Sequence, residues 1–247
     1  MSKLPRNALI EKLNHLVALD PVEIGILNEL CKENGYIPKG QSLTTHDFDS
    51  DIVTLLHEGW ACRYKILNDG RRQITSFVLP GDLSGVRACL FGVTDYETEA
   101  LTDCSVANIY GSDIVNLFKD QPRLAAAITW GSAREEAMLT ERVVSLGRRT
   151  AKERMAHLFL ELHWRLESVG VAERLAYELP ITQELIADCL GLSIVHVNRT
   201  LQAMRKDKLL EYRNGYVVLK NSKKLKQICS FASDHLEGEL HPDLIDI

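Results

Sequence analysis

The chain has 247 residues, 45% hydrophobic and 26% charged, with a formal net charge of −5. That composition excludes low-complexity and collagen-like chains and leaves room for one large domain or two smaller ones. No apolar run approaches the ~20 residues that span a bilayer, and the opening MSKLPRNALIEKLNHL lacks the apolar stretch and small-residue cleavage site of a signal peptide, so a cytoplasmic protein with no membrane partner is expected.

Residues 7–34 carry Leu9, Leu13, Leu16 and then Ile24, Leu27, Leu30 at spacings of three and four, which predicts helix. From about Ile37 to Tyr110 short apolar runs alternate with turn residues. Asn68-Asp69-Gly70 between two such runs predicts a hairpin, because Asn and Gly reach positive φ cheaply. Pro80-Gly81-Asp82 marks a second turn. Several short strands at this spacing predict a β-sandwich or barrel. The six cysteines stand alone, with no C-x-x-C pair, so they suggest neither a disulfide framework nor a zinc or iron–sulfur ligand set, and most read as small core hydrophobes.

From about Ser112, read as an N-cap, helix takes over. Pro122 begins a helix of about 25 residues, with Leu124, Ile128, Leu139, Val143 and Leu146 as an apolar stripe ending near Gly147. Its heptad is imperfect, since a strict count from Leu124 also meets Gly131, Glu135 and Arg142. Even so, one small barrel cannot cover that much apolar face, so the helix is expected to pack against its copy in a homodimer. Gly147 and RRTAKER form a composition break, followed by a helix with Met155, Leu158, Phe159, Leu162 and Leu166 at helical spacing that stops at Gly170.

ITQELIADCLGLSIVHVNRTLQAMRKDKLL, residues 181–210, holds the main functional signal. Thr182 can cap a helix from Gln183 to Cys189 and Ser193 a second from Ile194 to about Lys206, because each hydroxyl can accept an orphan backbone N–H. Gly191 sits where the first must end and the chain turn. Ala187 supplies a small side chain where two helices cross, and Ile186, Leu190, Leu192, Val197 and Leu201 lie where they would face each other. These are the demands of a helix-turn-helix. Asn214-Gly215 then predicts a two-residue turn between strands at 211–213 and 216–219, a β-wing. Between Thr182 and Lys226 nine basic residues face four acidic ones, so the rest of the chain carries −10. This asymmetry is the footprint of a nucleic-acid-binding end on an acidic body.

The order of a barrel with LPGDLSG, a long helix, TAKERMAHLFLEL, the tract above and a wing resembles the bacterial Crp/Fnr superfamily of transcription regulators, over roughly residues 10–230. The fold this implies is α+β: an N-terminal β-roll or jelly-roll barrel, a long dimerisation helix and a C-terminal winged helix-turn-helix. The corresponding boundaries are a cyclic-nucleotide-binding-like sensor barrel with N-terminal helices at 1–120, the dimerisation helix at 121–148, the DNA-binding domain at 149–231 and an acidic tail at 232–247. The resemblance implies a homodimeric, sequence-specific regulator that reads a pseudo-palindromic operator in double-stranded DNA, with RNA polymerase as a further partner.

By the same resemblance, Arg199 matches the recognition-helix arginine that reads guanine, a role suited to its fork of donors. Thr182 and Ser193 match phosphate-touching positions at helix N-termini, and His196 another. Where the best-known relatives carry glutamate or arginine, this chain has Ile194 and Val195, which can contact only a thymine methyl or nothing. Asn198 can read adenine or bond a phosphate. A different operator is therefore expected.

Cyclic-nucleotide binders of this superfamily use Gly-Glu-Leu and, after a loop, an Arg-Ser pair that clamps the phosphate. This chain has Gly81-Asp82-Leu83 and then approximately Thr94 and Asp95, with Glu97 and Glu99 close behind. Carboxylates there repel a phosphate, and Arg87 is the one local residue that could compensate, so cyclic AMP is not expected as effector. The superfamily's iron–sulfur sensors carry an N-terminal cysteine cluster, and residues 1–30 hold no cysteine, so no Fe–S cluster is expected and the cofactor is unknown. No P-loop, dinucleotide fingerprint, H-E-x-x-H or Ser/His/Asp elbow is present, which speaks against an enzyme. The open alternative is a small-molecule sensor or signalling module whose DNA head is vestigial or contacts a protein partner, a reading motivated by the apolar Ile194 and Val195.

Overall fold

A computed structural model describes residues 7–44, 51–92, 96–234, 236–237 and 241–245. The chain divides into two compact units, one formed by Met1–Arg63, Phe77–Glu136 and Leu236–Ile247, the other by Tyr64–Ser76 and Ala137–His235.

The first unit opens with α1 (Ala8–Asn14) and α2 (Pro21–Leu30). Asn7 caps α1, and Asp20 caps α2 in a reciprocal capping box with Glu23, each satisfying N–H groups that have no partner inside the helix. There follow β1 (Gly35–Ile37), β2 (Ile52–Glu58), β3 (Ala61–Ile66), β4 (Arg72–Val78), β5 (Leu83–Ser84), a short α3 (Val86–Phe91), β6 (Glu97–Ala100) and β7 (Cys104–Tyr110). They form a four-stranded sheet in the order β1-β7-β2-β5 and a three-stranded sheet in the order β4-β3-β6. β2 pairs antiparallel with β7, Val53 opposite Ile109 and Leu55 opposite Ala107. The period of two puts Val53, Leu55, Ala107 and Ile109 on one face, where they pack with Leu9, Leu13, Leu27, Ile114 and Leu124 in one buried cluster. The hairpin at 68–70 forms, with Gly70 at φ +83° and its N–H donating to Leu67 O.

α4 (Gly111–Asp120) corrects one expectation, because Ser112 does not cap it. The helix starts directly off β7 with Tyr110 at the cap position, no side chain caps it, and Gly111 N–H is satisfied by Asp51 O at 2.8 Å. α5 (Pro122–Arg148) has the expected length, but its apolar stripe divides. Leu124 and Ile128 are buried in the barrel-side cluster, whereas Leu139 and Val143 are 45% and 69% exposed. At about 100° per residue Ile128 and Leu139 stand only about 20° apart around the helix, so the stripe keeps broadly one side; its buried part belongs to the first unit, and Leu139 and Val143 belong to the second.

The second unit is built on α6 (Ala151–Ser168), which Thr150 and Glu153 cap reciprocally, and which ends at Gly170, φ +72°. After β8 (Ala176–Glu178) come α7 (Gln183–Leu190) and α8 (Ile194–Lys206), then β9 (Glu211–Arg213), β10 (Tyr216–Val218), α9 (Ser222–Cys229) and a last short α10 (Pro242–Ile245) of the first unit. The wing is three-stranded, β8-β10-β9, with Tyr216 opposite Arg213 and Glu178. Asn214 and Gly215 stand at φ +53° and +72°, the left-handed pair that a tight type I′ turn requires. Met155, Leu158, Phe159 and Leu162 of α6 are fully buried, as are Ile186, Leu190, Val197, Met204 and Leu225. Tyr177 joins them, its hydroxyl donating to Phe159 O at 2.9 Å.

Candidate nucleic-acid interface

Each short helix of the tract is started by the hydroxyl expected from its sequence. Thr182 Oγ1 accepts from Leu185 N and Ser193 Oγ from His196 N, both at 3.2 Å, so in each first turn the preceding N–H groups remain directed outward. Gly191 ends α7 at φ +61°, its N–H donating to Ala187 O. The positive φ favours glycine, and a Cβ there would stand 3.2 Å from Leu146 Cδ2 of α5, which would have to give by a few tenths of an ångström. Arg154 holds the same corner: Nη1 donates to Leu190 O at 2.9 Å and Nε to Arg149 O at 2.8 Å. Tyr212 OH donates to Ile181 O at 2.6 Å, fastening the wing to the start of α7.

α8 has one buried and one exposed face. Val197, Thr200, Leu201 and Met204 are buried, at the spacing of a core stripe. Ser193, Ile194, Val195, His196, Asn198 and Arg199 are all exposed, Ile194 by 50% and Val195 by 60%. Ser193, Val195, His196 and Arg199 line an open groove together with Thr150, Ala151 and Lys152 of the α6 start. The structure thus brings together every recognition-helix residue singled out in the sequence, with Thr182 exposed at the head of α7.

Asn198 is already engaged. Its Nδ2 donates to Gln183 Oε1 at 3.1 Å and its Oδ1 accepts from Gln202 Nε2 at 2.9 Å. A carboxamide has two N–H donors and two acceptor lone pairs, so these two bonds leave it able to donate and to accept one more, while the two glutamines fix its orientation.

The barrel residues are arranged differently from the sequence expectation. Gly81 (φ +85°) lies against the start of α1, where a Cβ would meet Ala8 O at 2.7 Å. Asp82 is buried and paired with Lys12 at 2.7 Å, its other oxygen accepting from Leu79 N at 2.8 Å. Leu83 O accepts from Arg63 Nη2 at 2.6 Å. Arg63 is an arginine that bonds this turn: it is buried, pairs with Glu135 of α5 at 2.6 Å and stacks over Tyr96. Arg87 is exposed on α3. Lys12, Arg63 and Glu135 were not legible as partners, because Lys12 and Asp82 are 70 residues apart, Arg63 and Leu83 20, and Arg63 and Glu135 72, and no local motif marks them. Thr94 and Asp95 lie outside the described residues.

Five of the cysteines are buried and Cys89 is half-buried. Burial pushes the Cys31 thiol up to about 12 and those of Cys189 and Cys229 up to about 11, which keeps them protonated and poorly nucleophilic. No helix of the described residues is long and apolar enough to cross a membrane.

Residues 153–228 match the Crp-like helix-turn-helix domain and residues 35–121 the cyclic nucleotide-binding domain. The chain is similar to the transcriptional activatory protein AadR of Rhodopseudomonas palustris, 30% identical over 193 residues that cover 78% of this chain and 79% of that protein. It is similar to the nitrogen fixation regulation protein FixK of Bradyrhizobium diazoefficiens, 32% identical over 174 residues, 69% of this chain and 72% of the relative. Among solved structures it is similar to FixK2 from Bradyrhizobium japonicum, with a TM-score of 0.69, 28% identity, and coverage of 82% of this chain and 98% of that one. Capped helices around a left-handed glycine, a wing, a barrel and these likenesses agree: the chain belongs to the Crp/Fnr family of DNA-binding transcription regulators.

Proposed function

We propose that the protein works in the cytoplasm as a homodimer and reads a pseudo-palindromic operator through α8. The observation that carries this reading is the exposed row Ile194, Val195, Asn198 and Arg199 on a helix whose opposite face is buried. Arg199 reads a guanine through its fork of donors, Asn198 an adenine or a phosphate, and Ile194 and Val195 meet thymine methyls. Thr182, Ser193 and His196 sit at phosphates, where outward N–H groups and the helix dipoles favour an anion. Two copies are supported by the apolar groove that Phe118, Pro122, Ala125, Ala126, Thr129, Trp130 and Ala133 line on α4 and α5, and by the exposed Leu139, Val143 and Val144. A regulator of this kind has RNA polymerase as its further partner.

The barrel is read as not binding cyclic AMP in the usual way. Asp82 is held by Lys12, and Arg63 by Glu135 and Leu83 O, so a cyclic phosphate at this turn would have to displace a buried pair. Selection of bound sites from random duplexes, followed by titration at several salt concentrations, tests the proposal. A two-fold-related consensus and affinity that falls steeply with salt are expected. Binding that ignores salt, or a chain with no affinity for any duplex, would overturn it.

A further inference from the structure

Lys152 and Asp207 form an ion pair between the start of α6 and the end of α8. Lys152 stands in the first turn of α6, and its ammonium is 2.6 Å from the carboxylate of Asp207, the C-cap of α8, with the side chains 38% and 46% exposed. Lys152 also lines the groove that holds Ser193, His196 and Arg199, so the pair borders the face of α8 that meets DNA. On its other side Asn221 N–H donates to Leu209 O at 3.1 Å and Asn221 Oδ1 accepts from Lys224 N at 3.0 Å. Those bonds set the first turn of α9 beside the end of α8. Lys206, Lys223, Lys224 and Lys226 are exposed there. The carboxyl of Asp207 is held below the usual range first by its hydrogen bond and attraction to Lys152 and then by Lys224 and Lys206, so one carboxylate stands among three cations.

An exposed ion pair contributes only about 0–1 kcal/mol, whereas duplex DNA carries one negative charge per roughly 1.7 Å of axis. A phosphate strand following the groove past Arg199 would therefore outcompete Asp207 for these lysines. We propose that Lys152, Lys206 and Lys224 form a second seat for DNA phosphates outside the bases that α8 reads, and that Asp207 is the internal anion that fills this seat when no DNA is bound. The inference rests on the reading of α8 as the DNA-contacting helix. A phosphodiester strand suits the seat better than an acidic protein because Lys152 lines the same groove as Ser193, His196 and Arg199, and because compact ammonium charges on flexible stems fix position without demanding a defined partner geometry.

The test uses the full chain and two duplexes, a selected operator trimmed flush and the same operator with longer flanks, each titrated over a range of KCl. With the longer duplex, Lys152→Gln and Lys224→Gln should each lower the slope of log K against log[salt] by about 0.9 per subunit while leaving the ranking of base substitutions unchanged. On the flush duplex the same variants should differ less from the native chain. Asp207→Asn should bind the longer duplex more tightly than the native chain does. If the lysine variants keep the native slope while Arg199→Ala still loses affinity, the second seat is refuted and the reading of α8 stands. If they keep that slope but fail to recruit RNA polymerase in transcription, the patch serves a protein and the proposal is equally refuted. A native chain with no salt-dependent affinity would remove both.

Discussion

Lys12 Nζ lies 2.7 Å from Asp82 Oδ1, with the two side chains 9% and 8% exposed. The pair joins α1 to the turn before β5, where Lys12 also donates to Gly81 O at 3.3 Å. Lys12→Met takes the ion-pair cation from a buried carboxylate in a medium of low dielectric constant and should destabilise the protein by about 3–5 kcal/mol. Adding Asp82→Asn, which keeps an acceptor for Leu79 N–H, should recover most of that loss. Denaturant unfolding of the two variants measures it, and an equal loss in both would show that the charges are not what matters at this turn.

Gly191 makes the corner of the helix-turn-helix and faces Leu146. Gly191→Ala should cost about 1–2 kcal/mol for the left-handed backbone alone, and more in so far as Leu146 Cδ2, 3.2 Å from the added Cβ, cannot yield. Thermal unfolding should show the loss. A variant as stable as the native chain would mean that the corner tolerates a side chain.

His157 of α6 is 2% exposed, 3.2 Å from Glu141 and stacked edge-on against Phe231. Burial pulls its pKa down from 6.5 to about 4; Glu161 and Glu141 oppose this, and Arg149 and Arg142 reinforce it. The folded state therefore binds this proton less readily than the unfolded chain. Stability from this group is complete above pH 6.5 and is lost as pH falls toward about 4. His157→Phe should flatten the acid limb of a stability–pH curve over that window. An unchanged limb would assign it to carboxylates elsewhere.

Val143 is 69% exposed on α5 and Leu139 45%. If two copies meet along this helix, Val143→Lys should shift the chain toward monomer in sedimentation equilibrium and weaken binding to a two-half-site duplex more than to a single half-site. An unchanged mass would place the subunit contact elsewhere.

The DNA-binding head was legible because its information is local. Thr182, Gly191 and Ser193 each meet a requirement of the backbone within three or four residues, and Ile186, Val197 and Leu201 repeat at helical spacing. Asn214-Gly215 declared the wing in the same way. The interior of the barrel was not legible, since Lys12 and Asp82 are 70 residues apart and nothing near either names the other. α9 was missed because, apart from Leu225, Ile228 and Cys229, it is a run of polar and basic residues, which the charge count registers as surface, not as helix. The divided burial of the α5 stripe was not legible because Leu124 and Val143 are both apolar at helical spacing, and the pattern does not say that the helix passes from one compact unit to the other between them.

The most direct measurement is the affinity and base preference of Arg199→Ala on the operator selected by the native chain. Arg199 lies exposed on α8 beside Ser193 and His196 and makes the strongest claim to a base. Fluorescence anisotropy at fixed salt should show specific binding weakened by about 1–3 kcal/mol, with preference relaxed at one base pair of each half-site and non-specific affinity little changed. Native affinity and native preference in the variant would contradict the account of α8 as the reading helix.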